Sequence, residues 1–119
     1  MVTYEQIRDF ALTLPGVEEG TSYGTPALKV RGKLLARLRE EGVLVVRVGA
    51  DAQEALIAME PEVYFITPHY AGSWAVLVRL DALEDAAMRA LMVETWRENA
   101  PKRLVASYGE GRIGPSVDW

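Results

Sequence analysis

The sequence predicts an α+β fold: a single domain with an antiparallel five-stranded sheet and helices, in the order α-β-β-β-α-β-β-α. Three observations predict it. Apolar residues recur at helical spacing in segments that open on a capping pair. Between Leu28 and Val48 they alternate with period two, and glycine turns break the alternation. No repeat, low-complexity run or linker divides the 119 residues, which is a length suited to one domain.

The first helix is expected from Tyr4 to Leu14, with Thr3 as its N-cap and Gln6 as the capping-box partner. Ile7, Phe10, Ala11 and Leu14 form its apolar face, and Pro15-Gly16 ends it. Val17 to Thr25 reads as a turn-rich loop. In the first strand Leu28 and Val30 alternate with Lys29 and Arg31, and Gly32-Lys33 turns the chain. In the second, Leu34, Ala36 and Leu38 alternate with Leu35, Arg37 and Arg39. Glu40-Glu41-Gly42 turns again into Val43 to Val48. The result is a meander with one apolar face and one basic face.

Asp51 and Glu54 cap a second helix, with Ala55, Leu56 and Met59 inward and Pro61 as its stop. Tyr64-Phe65-Ile66 is a short strand, and Thr67 to Ser73 is its exit loop. Trp74, Val76, Val78 and Leu80 alternate in the fifth strand, with Arg79 facing away. Asp81 and Glu84 make a third capping pair before a long helix to about Asn99, with Leu83, Ala87 and Leu91 inward. Asn99 caps a short terminal helix that tolerates Pro101 in its first turn, and Tyr108-Gly109 ends it. The domain therefore spans residues 1–107, followed by an extended C-terminal tail over 108–119.

Composition narrows the function. Cysteine is absent, which excludes disulfides, thiol catalysis and thiolate zinc sites. The lone histidine, His69, has no second histidine at a ligand spacing, so no metal and no cofactor is expected. No Walker loop, dinucleotide fingerprint or nucleophile elbow occurs, and the chain reads as more binding module than enzyme, with no catalytic residue assigned. The first residues lack the basic start and apolar run of a signal peptide, and no stretch approaches a membrane span. A cytoplasmic location without a membrane partner is the expectation.

The net charge of −4 conceals an uneven distribution. Between Pro26 and Gly49 six cations meet two anions, giving +4, and the rest of the chain carries −8. Lys29, Arg31, Lys33, Arg37, Arg39 and Arg47 form the candidate nucleic-acid surface, through phosphate contacts. A solvated sheet face laced with salt bridges is the competing reading. Single-strand binding adds exposed aromatics, and the three basic strands contain none.

A second candidate is a ligand pocket around His69, Tyr70, Trp74, Trp96 and Lys102. The segment Thr67 to Trp74 concentrates chemistry: an imidazole with a pKa near neutrality in ordinary surroundings, and two aromatics. Lys102 opens the last helix, where an anion is favoured. The plain reading makes His69 a brace that holds two chain segments through its ring nitrogens, with Tyr70, Trp74 and Trp96 as packing aromatics.

The residues resemble the MmcQ/YjbR-like family. The matching pieces are Leu12-Thr13-Leu14-Pro15-Gly16-Val17-Glu18-Glu19, Gly24-Thr25-Pro26, Val30-Arg31-Gly32-Lys33, Pro68-His69-Tyr70 followed by Trp74, and Trp96-Arg97 with Ala100-Pro101-Lys102. The resemblance covers Met1 to Ser107. It implies a compact YjbR-like domain in the element order above and DNA binding through two hairpin wings, a double wing. Leu28 and Leu35 stand where relatives are expected to have phenylalanine, and the tail matches nothing. The alternative is a non-catalytic protein-interaction or small-ligand domain that pairs, as a homodimer or with another protein, through a sheet edge or the tail.

Overall fold

The computed structural model describes residues 1–113, with side chains through Tyr108. The described residues form six strands and four α-helices: α1 (Tyr4–Ala11), β1 (Val17–Ser22), β2 (Thr25–Val30), β3 (Lys33–Glu40), β4 (Val43–Arg47), α2 (Ala50–Met59), β5 (Tyr64–Phe65), β6 (Ala75–Arg79), α3 (Asp85–Asn99) and α4 (Lys102–Ile113). The sheet order is β1-β2-β3-β4-β6-β5, and every neighbouring pair is antiparallel. The α+β class stands, with six strands rather than five.

The added strand is β1, in the segment expected as a loop. Only Val17 of its six residues is buried, and Gly20 lies in its middle. Such a segment carries no alternating apolar signal. Its strand character comes from pairing with β2, from Val17 opposite Val30 to Ser22 opposite Thr25. The connecting turn places Tyr23 and Gly24 at φ 54° and 78°, the left-handed pair of a type I′ hairpin turn. Arg31 and Gly32 repeat this at φ 51° and 83°, so the β2–β3 turn falls one residue earlier than expected.

Helix starts are legible in one case of three. Thr3 and Gln6 form the capping box of α1 in both directions. Gly49 precedes α2 and Glu84 precedes α3, both without a side-chain cap bond. Asp51 instead sits inside the first turn of α2, where a carboxylate meets the positive helix end. Leu80–Ala82 is a 3₁₀ turn, which delays α3 to Asp85. Asn99 closes α3, and its side chain donates back to the Thr95 carbonyl at 2.7 Å. Pro101 starts α4, accepting from Leu104 N. That helix runs past Tyr108 to Ile113, and the rest of the expected tail, 114–119, lies outside the described residues.

The core lies between the helices and one sheet face. Ile7, Leu14, Leu28, Leu35, Leu44, Met88, Met92 and Trp96 are among its fully buried side chains. On α2, Leu56 packs against the core as expected, together with Ala52 and Ile57, and Gln53 is its most buried residue, whereas Ala55 and Met59, also expected inside, are exposed, Met59 by 72 %. Two bulges alter the expected strand parity. The β2–β3 register shifts at Leu28/Lys29, so Leu34 faces Lys29 while Leu35 and Ala36 both enter the core. The β3–β4 register shifts again at Leu38/Glu40, leaving Arg39 outside the ladder. A bulge inserts one residue and reverses the side on which all later residues point.

Candidate functional site

The sheet has a second face, away from the core. There Val45, Ala75 and Leu77 form a separate buried cluster, with Val43, Phe65 and Tyr70 partly buried against it. The centre of this outer face is therefore apolar and is covered from the segment between β5 and β6. That departs from the open basic face expected from alternation. Both faces of β6 are buried, which is why its residues Ala75 to Val78 lack a polar side.

The covering segment is held by α2. Pro68–Tyr70 forms a 3₁₀ turn, and Gly72 follows at φ 73°. Gln53 is 2 % exposed. Its Nε2 donates to the carbonyls of Tyr70 at 2.9 Å and Ser73 at 3.3 Å, and also to that of Ala75. Its Oε1 accepts from Gly72 N at 3.3 Å. Val48 N and Gly49 N both donate to the Trp74 carbonyl at 2.8 Å. One buried amide thus satisfies the irregular backbone that a loop lying on a sheet would otherwise leave unpaired.

Three arginines lie at the margins of this face, each over an aromatic ring. Arg47 stands 4.2 Å from the Trp74 ring centre and donates from Nε to the Leu34 carbonyl at 2.7 Å. Arg37 stands 5.0 Å from the Tyr23 ring centre, and its guanidinium reaches Thr25 Oγ1 at 3.4 Å. Arg79 stands 4.1 Å from the Phe65 ring centre and donates to the Pro61 and Glu62 carbonyls. Among the described residues none of the three has a carboxylate partner. Stacked guanidinium groups keep their charge and their outer N–H donors available.

A cleft of about 490 Å³ opens between the first two pairs. Leu34, Arg37 and Val45 of the sheet line it, with Ser22 and Tyr23 on one side and His69, Tyr70, Ser73 and Trp74 on the other. Tyr23 is 89 % exposed and Trp74 is 39 % exposed, so both rings offer a free face.

The two sequence-derived candidate sites therefore meet in part. Arg37, His69, Tyr70 and Trp74 line one cleft, with Arg47 beside it. Lys29 lies on the same face, opposite Glu18 on β1. Arg31 is in the β2–β3 turn and Lys33 follows it, and Arg39 is engaged by Glu40 at 3.1 Å. Trp96 and Lys102 are elsewhere. Trp96 is fully buried among the helices, its indole N–H donating to the Pro15 carbonyl at 2.9 Å and its ring meeting Tyr108 edge-on. Lys102 is exposed at the start of α4.

The brace role also moves. His69 is exposed, and its contact is an edge-on approach to Tyr70 with ring centres 5.1 Å apart. Gln53 holds the loop instead. Sequence reasoning missed Gln53 and Tyr23. Tyr23-Gly24 was a turn dipeptide, and Gln53 was a polar residue on the inward face of a helix.

A sequence model of the YjbR family matches residues 12–98, which include the whole sheet and the cleft. The chain belongs to the YjbR family. Similar to this YjbR chain are the uncharacterised proteins Rv2570 of Mycobacterium tuberculosis and Mb2600 of Mycobacterium bovis, each 46 % identical over 67 residues. That stretch is 56 % of this chain and 52 % of each relative, so the chain spans about half the length of the curated relatives it matches. The crystal structure of Deinococcus radiodurans DR2400, with a domain designated DUF419, superposes with a TM-score of 0.66 at 20 % identity, over 92 % of this chain and 89 % of that one. This likeness is one of fold. Among the described residues no helix is long and apolar enough to cross a membrane.

Proposed function

We propose that the outer sheet face binds single-stranded nucleic acid, with bases stacked on Trp74 and Tyr23 and phosphates held by the arginines beside them. The observation that carries this reading is the pairing of exposed aromatics with arginines on both sides of one cleft: Arg47 with Trp74 at 4.2 Å and Arg37 with Tyr23 at 5.0 Å. Stacking of a base on an aromatic side chain contributes about 1–3 kcal/mol and tolerates any base. Arginine and lysine then follow the phosphate chain. The aromatics missing from the basic strands are supplied by a hairpin turn and by the loop ahead of β6.

Lys29 on the same face extends the positive track toward β1, whereas the Arg31 side chain runs beside Gly16 on the helix side of the sheet. Duplex reading instead requires a helix or ribbon seated in a groove, and a cleft with an apolar floor suits an unpaired base better. The overall charge of −4 confines the attraction to this local patch and makes it sensitive to salt.

The test is fluorescence anisotropy of a labelled oligothymidylate across a salt series beginning at about 50 mM, where phosphate contacts are strongest. The expected result is binding that weakens as salt rises, quenches tryptophan emission and exceeds binding to a duplex of equal length. Trp74→Ala should weaken it by about 5- to 100-fold, the equivalent of one stacked base. Absence of binding at the lowest salt would falsify the proposal. The cleft volume of about 490 Å³ also suits a small molecule, and binding of a mononucleotide with no gain for the oligomer would select that second reading.

A further inference from the structure

A second cavity lies on the opposite side of the sheet, between α2 and α3, with a volume of about 350 Å³. Ala52, Ala55 and Leu56 form one wall, and Ala87, Ala90 and Leu91 form the other. The alanines on both helices are too short to fill the space between them. Tyr64 and Val48 of the sheet end are also part of the lining. Burial and the nearby Glu60 raise the pKa of the Tyr64 phenol, which keeps it neutral.

The polar side of this groove is one-signed. Glu94 and Glu98 border it, four residues apart on α3 and therefore on one face of the helix. Of the other polar lining residues, Tyr64 is the neutral phenol and Thr95 has its hydroxyl committed to the Arg47 carbonyl. Among the described residues neither carboxylate has an ion-pair partner. Two like charges one turn apart repel each other, and an apolar groove open to water is itself unfavourable. A single occupant that carries a cation on an apolar body relieves both.

We propose that the α2–α3 groove is a binding site for a small organic ammonium ion, its hydrocarbon portion lying against the alanines and its charge between Glu94 and Glu98. The volume is at the lower end of the range for small-molecule pockets, which matches a ligand of this kind rather than a folded partner. The site is separate from the outer-face cleft and rests on different residues.

The test uses octylammonium, octanoate and octanol as probes, followed by amide chemical shifts of the intact protein. Octylammonium should perturb amides of α2 and α3 around Ala55, Ala90 and Glu94 and bind more tightly than octanoate. The Glu94→Gln/Glu98→Gln variant should lose about five- to tenfold of the octylammonium affinity and keep that for octanol, since two exposed ion pairs are removed. Ala90→Trp should block all three probes by filling the groove, and Ala55→Trp repeats the block from the other wall if the first variant folds poorly. Equal binding of octanoate, unchanged affinity in the double variant, or shifts confined to the outer face would each overturn the proposal.

Discussion

Gln53 donates from Nε2 to the carbonyl of Tyr70 at 2.9 Å, and this bond ties a core-side helix to the segment that covers the other face of the sheet. The two layers meet at the sheet end where β6 begins. Gln53 is the only inward polar side chain on α2, and its amide serves backbone groups at four positions, Tyr70, Gly72, Ser73 and Ala75.

Removal of that amide should loosen the cleft. Gln53→Leu keeps the volume but removes the bonds to three carbonyls and leaves the Gly72 N–H without its acceptor, an expected loss of about 2–4 kcal/mol in urea unfolding. Gln53→Glu places a carboxylate against three carbonyls, so its folded pKa should rise above the unfolded value. The sign follows: that variant is most stable below about pH 4, the ordinary carboxylate range, and loses stability as pH rises through the raised pKa. A variant with flat stability from pH 4 to 7 would contradict the buried clamp.

Arg47 and Trp74 should be energetically coupled. A double-mutant cycle with Arg47→Met and Trp74→Leu is expected to give about 0.5–2 kcal/mol of interaction, read from thermal or urea unfolding. Arg47→Met also removes the bond to the Leu34 carbonyl, so its single effect should exceed that of Trp74→Leu. Additive effects would show that the 4.2 Å approach contributes nothing.

Gly16 permits the close approach of α4. It sits at φ 78°, and a Cβ there would lie 2.6 Å from Leu104 Cδ1. Gly16→Ala should destabilise by about 1–3 kcal/mol through left-handed strain plus displacement of the leucine tip. Combining it with Leu104→Ala should recover only the contact part, leaving about 1 kcal/mol from the backbone. Full recovery would place the whole effect in the clash.

Alkaline pH should unfold the protein through its tyrosines. Burial, and then the bond from the Tyr4 hydroxyl to Glu19 Oε2 at 2.9 Å, raise the Tyr4 pKa well above the ordinary value. Burial raises that of Tyr64 as well. Both phenols hold their protons more tightly folded than unfolded. Their contribution is therefore complete below about pH 10 and is lost as pH rises toward the folded values. Tyr4→Phe should reduce the slope of stability against pH above 10, and an unchanged slope would count against it.

Much of the fold was legible because it rests on local rules. The Thr3–Gln6 capping box formed as expected, and the apolar set at Ile7, Ala11 and Leu14 became core. Glycine turns divided β2, β3 and β4 as the alternation required. The capping pairs at Asp51 and Asp81 failed because β4 and the 3₁₀ turn set where α2 and α3 begin. β1 was missed because an edge strand with one buried residue carries no pattern of its own.

The candidate site shows the same division. That cations gather on β2 to β4 and aromatics near His69 is already visible in the order of residues, since both are matters of composition along the chain. Tertiary structure decided which of them meet. Two bulges chose the side chains that face outward, a turn lifted Tyr23 beside Arg37, and Gln53 drew Tyr70 and Trp74 over the sheet, while Trp96 was carried to the opposite layer. The physical reason is range. Caps and alternation act over three or four residues, whereas the cleft depends on contacts between segments tens of residues apart, such as Gln53 with Ala75 and Arg47 with Trp74.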